Sequence, residues 1–193
     1  MQETQERNTR ERIVDGAESA LIELGIAHTT TKEVARRAEI SEPTIYLYFA
    51  SKQALLETVT RERLLLPSLN SAVLDQDVGP PDEILTRFLE SLFDEYARIL
   101  PMYSAVLADA RLTAALRAEP PTFAGFERVS SWLEGQQDVG GVRKDADAQV
   151  LARLMFGTAF HHALLDHAFG EEALGLDRDA VVRGLVELAL PTP

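Results

Sequence analysis

The segment Thr30–Lys52, TTKEVARRAEISEPTIYLYFASK, constrains this chain more than any other. It reads as two short helices joined by a tight turn, followed by the start of a third. Thr30 with Glu33 three residues on is a capping box, in which each side chain satisfies an orphan backbone N–H at a helix start. Val34, Ala35 and Ala38 then form a narrow stripe of small apolar residues. Two helices crossing steeply over a turn of a few residues must approach closely, and Ala35 permits that. Ser41 stands where the next helix needs a cap, and Pro43 falls in its first turn, where a missing N–H is harmless. Ile45 and Phe49, four apart, are expected to face inward. Glu42, Thr44, Tyr46, Leu47 and Tyr48 are then free to face outward.

A short helix that presents two aromatics and a leucine suits a recognition helix in a DNA major groove. These residues resemble the tetracycline-repressor (TetR) family of bacterial transcription regulators. The resemblance rests on the pair Leu24-Gly25, the threonine-rich entry Thr29, Thr30 and Thr31, the run VARRA, an S-x-P-T-I-Y core, and F-x-S-K-x-A-L-L from Phe49 to Leu56. It covers roughly residues 9 to 60. Glu39 stands where the family often has glycine, so a left-handed backbone there carries strain. Tyr48 stands where histidine is common. By resemblance, Thr31, Lys32, Glu42, Pro43, Thr44, Tyr46, Leu47, Tyr48 and Lys52 occupy positions that touch DNA, with Lys32, Pro43 and Leu47 the candidates for base contact.

Read from their own chemistry, the Thr44 and Tyr46 hydroxyls suit phosphate oxygens, contacts that set register without reading sequence. Lys52 adds a charge at a helix start that already favours an anion. Packing against the neighbouring helices is the other use open to Tyr46 and Tyr48, and an ordinary surface position the other use open to Lys52. A leucine touches only apolar surface such as a thymine methyl, so direct base readout is expected to be sparse.

The net charge of −12 bears on this reading. Residues 1–63 hold nine Lys/Arg and eleven Asp/Glu, net −2, and residues 64–193 hold ten and twenty, net −10. The acidity therefore lies mostly outside the proposed DNA-binding part, although that part is not basic either, unlike the usual nucleic-acid binder. Lys32, Arg36, Arg37 and Lys52 surround the motif, within the roughly 8 Å over which charge is felt at physiological salt. Glu18 and Glu23 are expected on a face turned away. The chain has no cysteine, which removes disulfides, thiolate metal sites and cysteine nucleophiles together. A polar N-terminus and the lack of an apolar run of about 20 residues imply no signal peptide, no membrane span and a cytoplasmic protein.

Helical periodicity runs through the whole chain. The first helix is expected over about Thr9–Leu24, with Ile13, Ala17, Leu21 and Leu24 on one face and Gly25 as its end. The next two cover about Thr31–Ala38 and Glu42–Tyr48. Ser51 caps a fourth, about residues 51–66, with a stripe of Leu55, Val59, Arg63 and Leu66, and this helix is expected to connect two domains. The DQDVGPP run, Asp75–Pro81, is the clearest break. Beyond it an apolar face runs from Ile84 to Leu100, and Pro101 opens a further segment, Met102–Ala118. Helices of about Phe123–Leu133, Asp145–Phe169 and Asp177–Leu190 follow, with a loop at Gly135–Gly141. The expectation is an all-α protein of about nine helices. Its N-terminal helix-turn-helix DNA-binding domain, residues 1–52, precedes a C-terminal helical ligand-binding and dimerisation domain, residues 67–193.

No motif picks out the ligand site, because such domains share none. An aromatic surplus marks candidates for it, namely Phe88, Phe93, Tyr96, Met102, Tyr103, Phe123, Phe126, Trp132, Phe156 and Phe160, with His161 and His162 beside them. Core packing is the alternative for each. Ala152, Gly157, Ala159 and Ala163 let helices approach closely, and with Val181, Val182, Leu185, Val186 and Leu188 they suit a four-helix seam between two copies.

The cluster His161, His162, Asp166 and His167 raises another class, a helical metal-dependent or small-molecule-modifying enzyme. His162 and Asp166 share a helix face, but no third ligand falls on it, so neither a metal nor a catalytic residue is assigned. No cofactor is expected, and no P-loop, dinucleotide or hydrolase motif occurs. The expected function is that of a homodimeric, sequence-specific regulator, a repressor bound to near-palindromic double-stranded operator DNA. Its expected effector is a small apolar or cationic aromatic molecule, since carboxylates dominate from residue 64 on.

Overall fold

A computed structural model describes residues 2–65, 74, 79–118, 124–170, 175 and 177–191. Among these residues every regular element is helical. The helices are α1 (Gln2–His28), α2 (Thr31–Arg37), α3 (Glu42–Tyr48), α4 (Lys52–Val59), α5 (Pro81–Ala108), α6 (Ala110–Ala118), α7 (Ala124–Val139), α8 (Ala148–Phe169) and α9 (Arg178–Ala189). A π-helical turn, Thr60–Leu65, extends α4.

Contacts divide the chain into two compact units, Met1–Pro67 with Ile99–Thr122, and Ser68–Arg98 with Phe123–Pro193. Residues 99–122 therefore group with the N-terminal helices rather than with the rest of the segment 67–193. The reason lies in their side chains. Met102, Val106 and Leu112 are buried in one core with Ile13, Val14, Leu21, Ile45, Leu55 and Val59. The second unit has its own core, built on Phe88, Leu89, Leu92, Leu133, Leu151, Met155 and Val186.

In the first unit, α1 packs on α2 and α4, and α2 on α3. Helices α1 and α2 approach closely at Gly16, where an added Cβ would stand 3.1 Å from both the Val34 carbonyl oxygen and the Ala38 nitrogen. Helix α1 starts well before Thr9. Its first residues carry no apolar stripe, but Gln, Glu and Arg are good helix formers, so propensity extends what periodicity cannot show. Gly25 (φ 70°, ψ 174°) breaks the helical path as expected. A further turn leads to Thr29, whose N–H and hydroxyl both donate to the Gly25 carbonyl. Leu24 lies exposed rather than on the buried face.

The turn between α2 and α3 contains the strained residue that the sequence implied. Glu39 has φ 53°, in the left-handed region. Arg12 of α1 supports it by donating to the carbonyl oxygens of Ala38 and Glu39, which close the end of α2. Thr30 caps α2 and Ser51 caps α4, each accepting from a backbone N–H three residues on. Ser41 occupies the cap position of α3 but makes no such bond. Its hydroxyl instead lies 2.7 Å from that of Thr44.

Three boundaries differ from the periodic reading. Pro101 lies inside α5 rather than starting a new segment. Ile99, Leu100 and Met102 around it are all buried, and that packing outweighs one lost backbone bond. The break comes instead at Asp109, whose carboxylate accepts from the N–H groups of Arg111 and Leu112. Gly135 is helical, and α7 runs on to Val139 before Gly140 (φ 81°) ends it. Helices α8 and α9 start one residue after Asp147 and Asp177, each of which caps its helix.

The turn gives a direct test. A non-glycine residue in the left-handed region costs roughly 1–2 kcal/mol, whereas glycine loses more chain entropy on folding, about 0.5–1 kcal/mol. Glu39→Gly is therefore expected to raise stability by about 0.5 kcal/mol in urea unfolding, and Glu39→Val to lower it. Equal midpoints for both variants would show that the turn stores no strain.

Candidate nucleic-acid interface

Helices α2 and α3 separate an inner from an outer face. Val34, Ala35 and Ile45 are buried, as is Phe49, which follows α3 and lies under the guanidinium of Arg10. On the outer face Pro43, Tyr46 and Leu47 are exposed, Leu47 at 82% and Tyr46 at 52%. Lys32 is also exposed, while Thr31, Glu42, Thr44, Tyr48 and Lys52 are half-buried. The motif therefore brings the candidates together, but not as equals. Tyr48 packs partly against the first core, so the packing alternative holds for it more than for Tyr46.

Several of the polar candidates have partners within the chain. The Thr31 hydroxyl donates to the Glu42 carboxylate at 2.5 Å, joining the start of α2 to the start of α3. Thr44 is engaged with Ser41. The Lys52 ammonium donates to the Ile26 carbonyl oxygen at 3.4 Å, a long bond that leaves two of its three donors for another acceptor.

The arginines beside the motif serve structure rather than an open positive surface. Arg37 donates to Glu33, to Ser19 and to Glu23, and so ties α2 to α1. Arg36 forms a two-point bond with Glu33. Glu23 thus does not face away from the motif but neutralises it. Hydrogen bonds from Arg36, then from Arg37, hold the Glu33 carboxyl down at about 2. The Glu23 carboxyl is also lowered, chiefly by the hydrogen bond from Arg37.

Farther along, Arg63 of the π-helical turn pairs with Glu11, Asp15 and Glu18 of α1, and Arg10 pairs with Glu62. These arginines were not legible as structural ties, because their partners lie far away in sequence.

In the second unit most of the candidate aromatics pack on one another. Phe156 lies between Phe88 and Phe126 at centroid distances of 6.2 and 6.0 Å, with the Arg153 guanidinium over Phe126. Tyr96 meets Phe160 edge-on at 5.5 Å, and Trp132 is half-buried against the same core. Met102 and Tyr103 belong to the other core, because the end of α5 packs with the first unit. Phe123 lies outside the described residues.

His162 meets Phe93 at a tilt, with ring centroids 5.2 Å apart, and both His161 and His162 border a groove of about 400 Å³ between α8 and α9 that includes Val181 and Gly184. Among the described residues no three His, Asp or Glu side chains are grouped to hold a metal. The His161, His162, Asp166 and His167 cluster therefore does not form a three-ligand metal site.

The seam candidates also separate. Ala152, Ala159, Ala163, Val182, Leu185 and Val186 are buried within the chain itself. Gly157 and Leu188 are exposed, and Val181 is half-buried. Val150, Leu154 and Leu164 of α8 are exposed as well. They escaped the sequence reading because α8 is apolar on nearly every face, so periodicity does not tell its inner side from its outer.

The sequence profile of bacterial regulatory proteins of the tetR family matches residues 13–59. The uncharacterized HTH-type transcriptional regulator YdeS of Bacillus subtilis is 30% identical over 188 residues, 94% of this chain and 87% of that protein. A second regulator of that organism, YvkB, is 38% identical over 73 residues, 38% of this chain and 37% of its own length.

Two solved structures share the fold. One is a complex of SmeT with triclosan, at 24% identity and TM-score 0.64, covering 96% of this chain and 99% of that one. The other is FadR of Bacillus subtilis in complex with stearoyl-CoA, at 17% identity and TM-score 0.62, covering 92% and 96%.

The Glu33 ties carry a pH signature. Its folded value of about 2 lies below the ordinary 4.5, so the stabilisation is complete above pH 4.5 and is lost as pH falls through about 2. Glu33→Gln should therefore melt below the wild type at pH 6, with the gap narrowing between pH 4.5 and 2. A gap that is the same at pH 6 and pH 2.5 would assign the loss to packing rather than charge.

Proposed function

The chain belongs to the tetR family of bacterial regulatory proteins, and from that premise we propose that it is a homodimeric repressor released from operator DNA by a small molecule. The observation that carries the DNA part is the exposed face of α3. Pro43, Tyr46 and Leu47 stand in solvent on a helix whose inner side is locked by Ile45 and whose start is tied to α2 through Thr31 and Glu42. In this reading residues 1–52 bind DNA, the helix of residues 51–66 connects, and residues 67–193 sense the ligand and dimerise. No single described helix is long and apolar enough to cross a membrane, which suits a protein acting in the cytoplasm.

Phosphate anchoring is assigned to Lys52 and Tyr46, with Thr31, Glu42, Thr44 and Tyr48 framing the contact surface. Lys52→Ala should weaken binding about equally on all duplexes and lower the salt slope by roughly one unit per chain. An unchanged slope would leave Lys52 with only its bond to Ile26.

A recognition helix of seven residues reads a few base pairs, so useful specificity calls for two copies on a near-palindromic site. The exposed apolar residues Val150, Leu154 and Leu164 of α8 and Leu188 of α9 favour this face as the seam. The double variant Leu164→Glu/Leu188→Glu should fold, because both positions are exposed in the single chain, yet sediment as a monomer and lose operator affinity. A dimer that survives it would place the seam elsewhere.

The effector is proposed to be an apolar or cationic aromatic molecule seated near Phe160 and His162. Support comes from the aromatic interior and from the net charge of −10 beyond residue 63. An apolar ring gains about 25 cal/mol for each Å² removed from water, and a cation can stack on aromatic faces. The solved neighbours with triclosan and stearoyl-CoA support a small-molecule site on this fold. Release by multiply anionic metabolites alone would refute the charge argument. The two-state mechanism follows from linkage. A ligand that binds better to a dimer with wrongly spaced α3 helices weakens DNA binding, and DNA weakens the ligand's binding by the same factor.

A further inference from the structure

We infer that this protein selects its operator by the methyl groups of thymine, read by an apolar ridge of Pro43 and Leu47, with no guanine contact from α3. The inference rests on the DNA-binding reading above and names what that surface recognises.

Helix α3, EPTIYLY, holds no Lys, Arg, Asn or Gln. Those are the side chains that bond guanine or adenine at two points in the major groove. Its remaining donors are three hydroxyls. That of Thr44 is engaged with Ser41, and Tyr48 is half-buried against the core. The one charge on the helix is the Glu42 carboxylate, which accepts from Thr31 and repels phosphate rather than seeking it. Hydrogen bonding thus leaves α3 no two-point bond to guanine or adenine, only single contacts from the Tyr46 hydroxyl or the second Glu42 oxygen.

Its apolar surface offers more. Leu47 is the most exposed large hydrophobic residue among those described, at 82%, on a helix whose neighbouring Ile45 is fully buried. Pro43 is exposed one turn earlier. Residues four apart lie on one helix face with Cβ atoms about 5–6 Å apart, so the two form a single ridge. That spacing is under two base-pair steps of about 3.4 Å. In the major groove only thymine carries a methyl group, so an apolar ridge favours A·T pairs and fixes which strand holds the thymine. Any guanine contact falls to Lys32, exposed on α2.

The test uses the full chain and a random duplex library. Operator half-sites are first selected with the wild-type protein, and each thymine of the selected duplex is then replaced in turn by deoxyuridine, which lacks only the methyl. One or two positions in each half-site should lose affinity by about four-fold per methyl, the ratio that burying one methylene-sized group gives. Leu47→Ala, with an unchanged melting temperature, should abolish the loss at one of those positions and leave the other substitutions as they were.

An enriched operator indifferent to deoxyuridine at every position would overturn the inference alone, as would a Leu47→Ala protein with undiminished sensitivity. A library from which no sequence is enriched would overturn the DNA-binding reading and this inference with it.

Discussion

The first unit depends on one close approach, the meeting of α1 and α2 at Gly16. With an added Cβ only 3.1 Å from two backbone atoms, a side chain there would push the helix backbones apart by a few tenths of an ångström. Once they are that close, Arg12 reaches the carbonyl groups at the end of α2, and Arg37 reaches back to Ser19 and Glu23. These bonds cross the same joint from both sides. They hold the left-handed turn at Glu39, which aims α3. The direction in which Leu47 points is thus set some thirty residues upstream of it.

The same joint explains why so acidic a protein can still present the motif. The arginines around α2 pair with carboxylates and act as struts, each pair worth little alone in solvent but several together restricting one geometry. On α2, α3 and the start of α4 the cations without a carboxylate partner among the described contacts are Lys32 and the partly engaged Lys52. Non-specific attraction to phosphate should therefore be weak, and affinity for a duplex must come largely from fit in the groove. A regulator built this way gains discrimination by lacking general affinity, since the competing sites in a genome are bound chiefly through charge.

The motif was legible because its signals are local. A capping threonine, a proline in the first turn and an alanine at the crossing act within a few residues, and α2 and α3 stand where those signals put them. What escaped the sequence depends on partners far along the chain. Gly16 looks like any helical glycine until α2 lies against it, and Pro101 looks like a break until the burial of Ile99, Leu100 and Met102 outweighs it. Asp109 resembles other acidic surface residues until its carboxylate caps α6. The aromatic residues were legible only as a surplus. Met102 and Tyr103 were separated from the others because α5 serves two cores, which periodicity along one helix cannot reveal.

Among the exposed apolar residues described, two groups stand out, the ridge of α3 and the outer face of α8 with Leu188 of α9. The two differ in kind. The α3 ridge is narrow and bordered by hydroxyls and a carboxylate, which suits a wet, polar groove where one or two methyl groups decide specificity. The α8 face is longer and holds Val150, Leu154 and Leu164 along one helix, which suits a broad and dry contact with a copy of itself. If both assignments hold, they are coupled. A ridge that reads so few positions is useful only when doubled, and the spacing of the two ridges is set by the seam. A ligand acting on the helices of the second unit then need not touch α3 to release DNA, because a change in spacing moves one ridge out of register with its half-site.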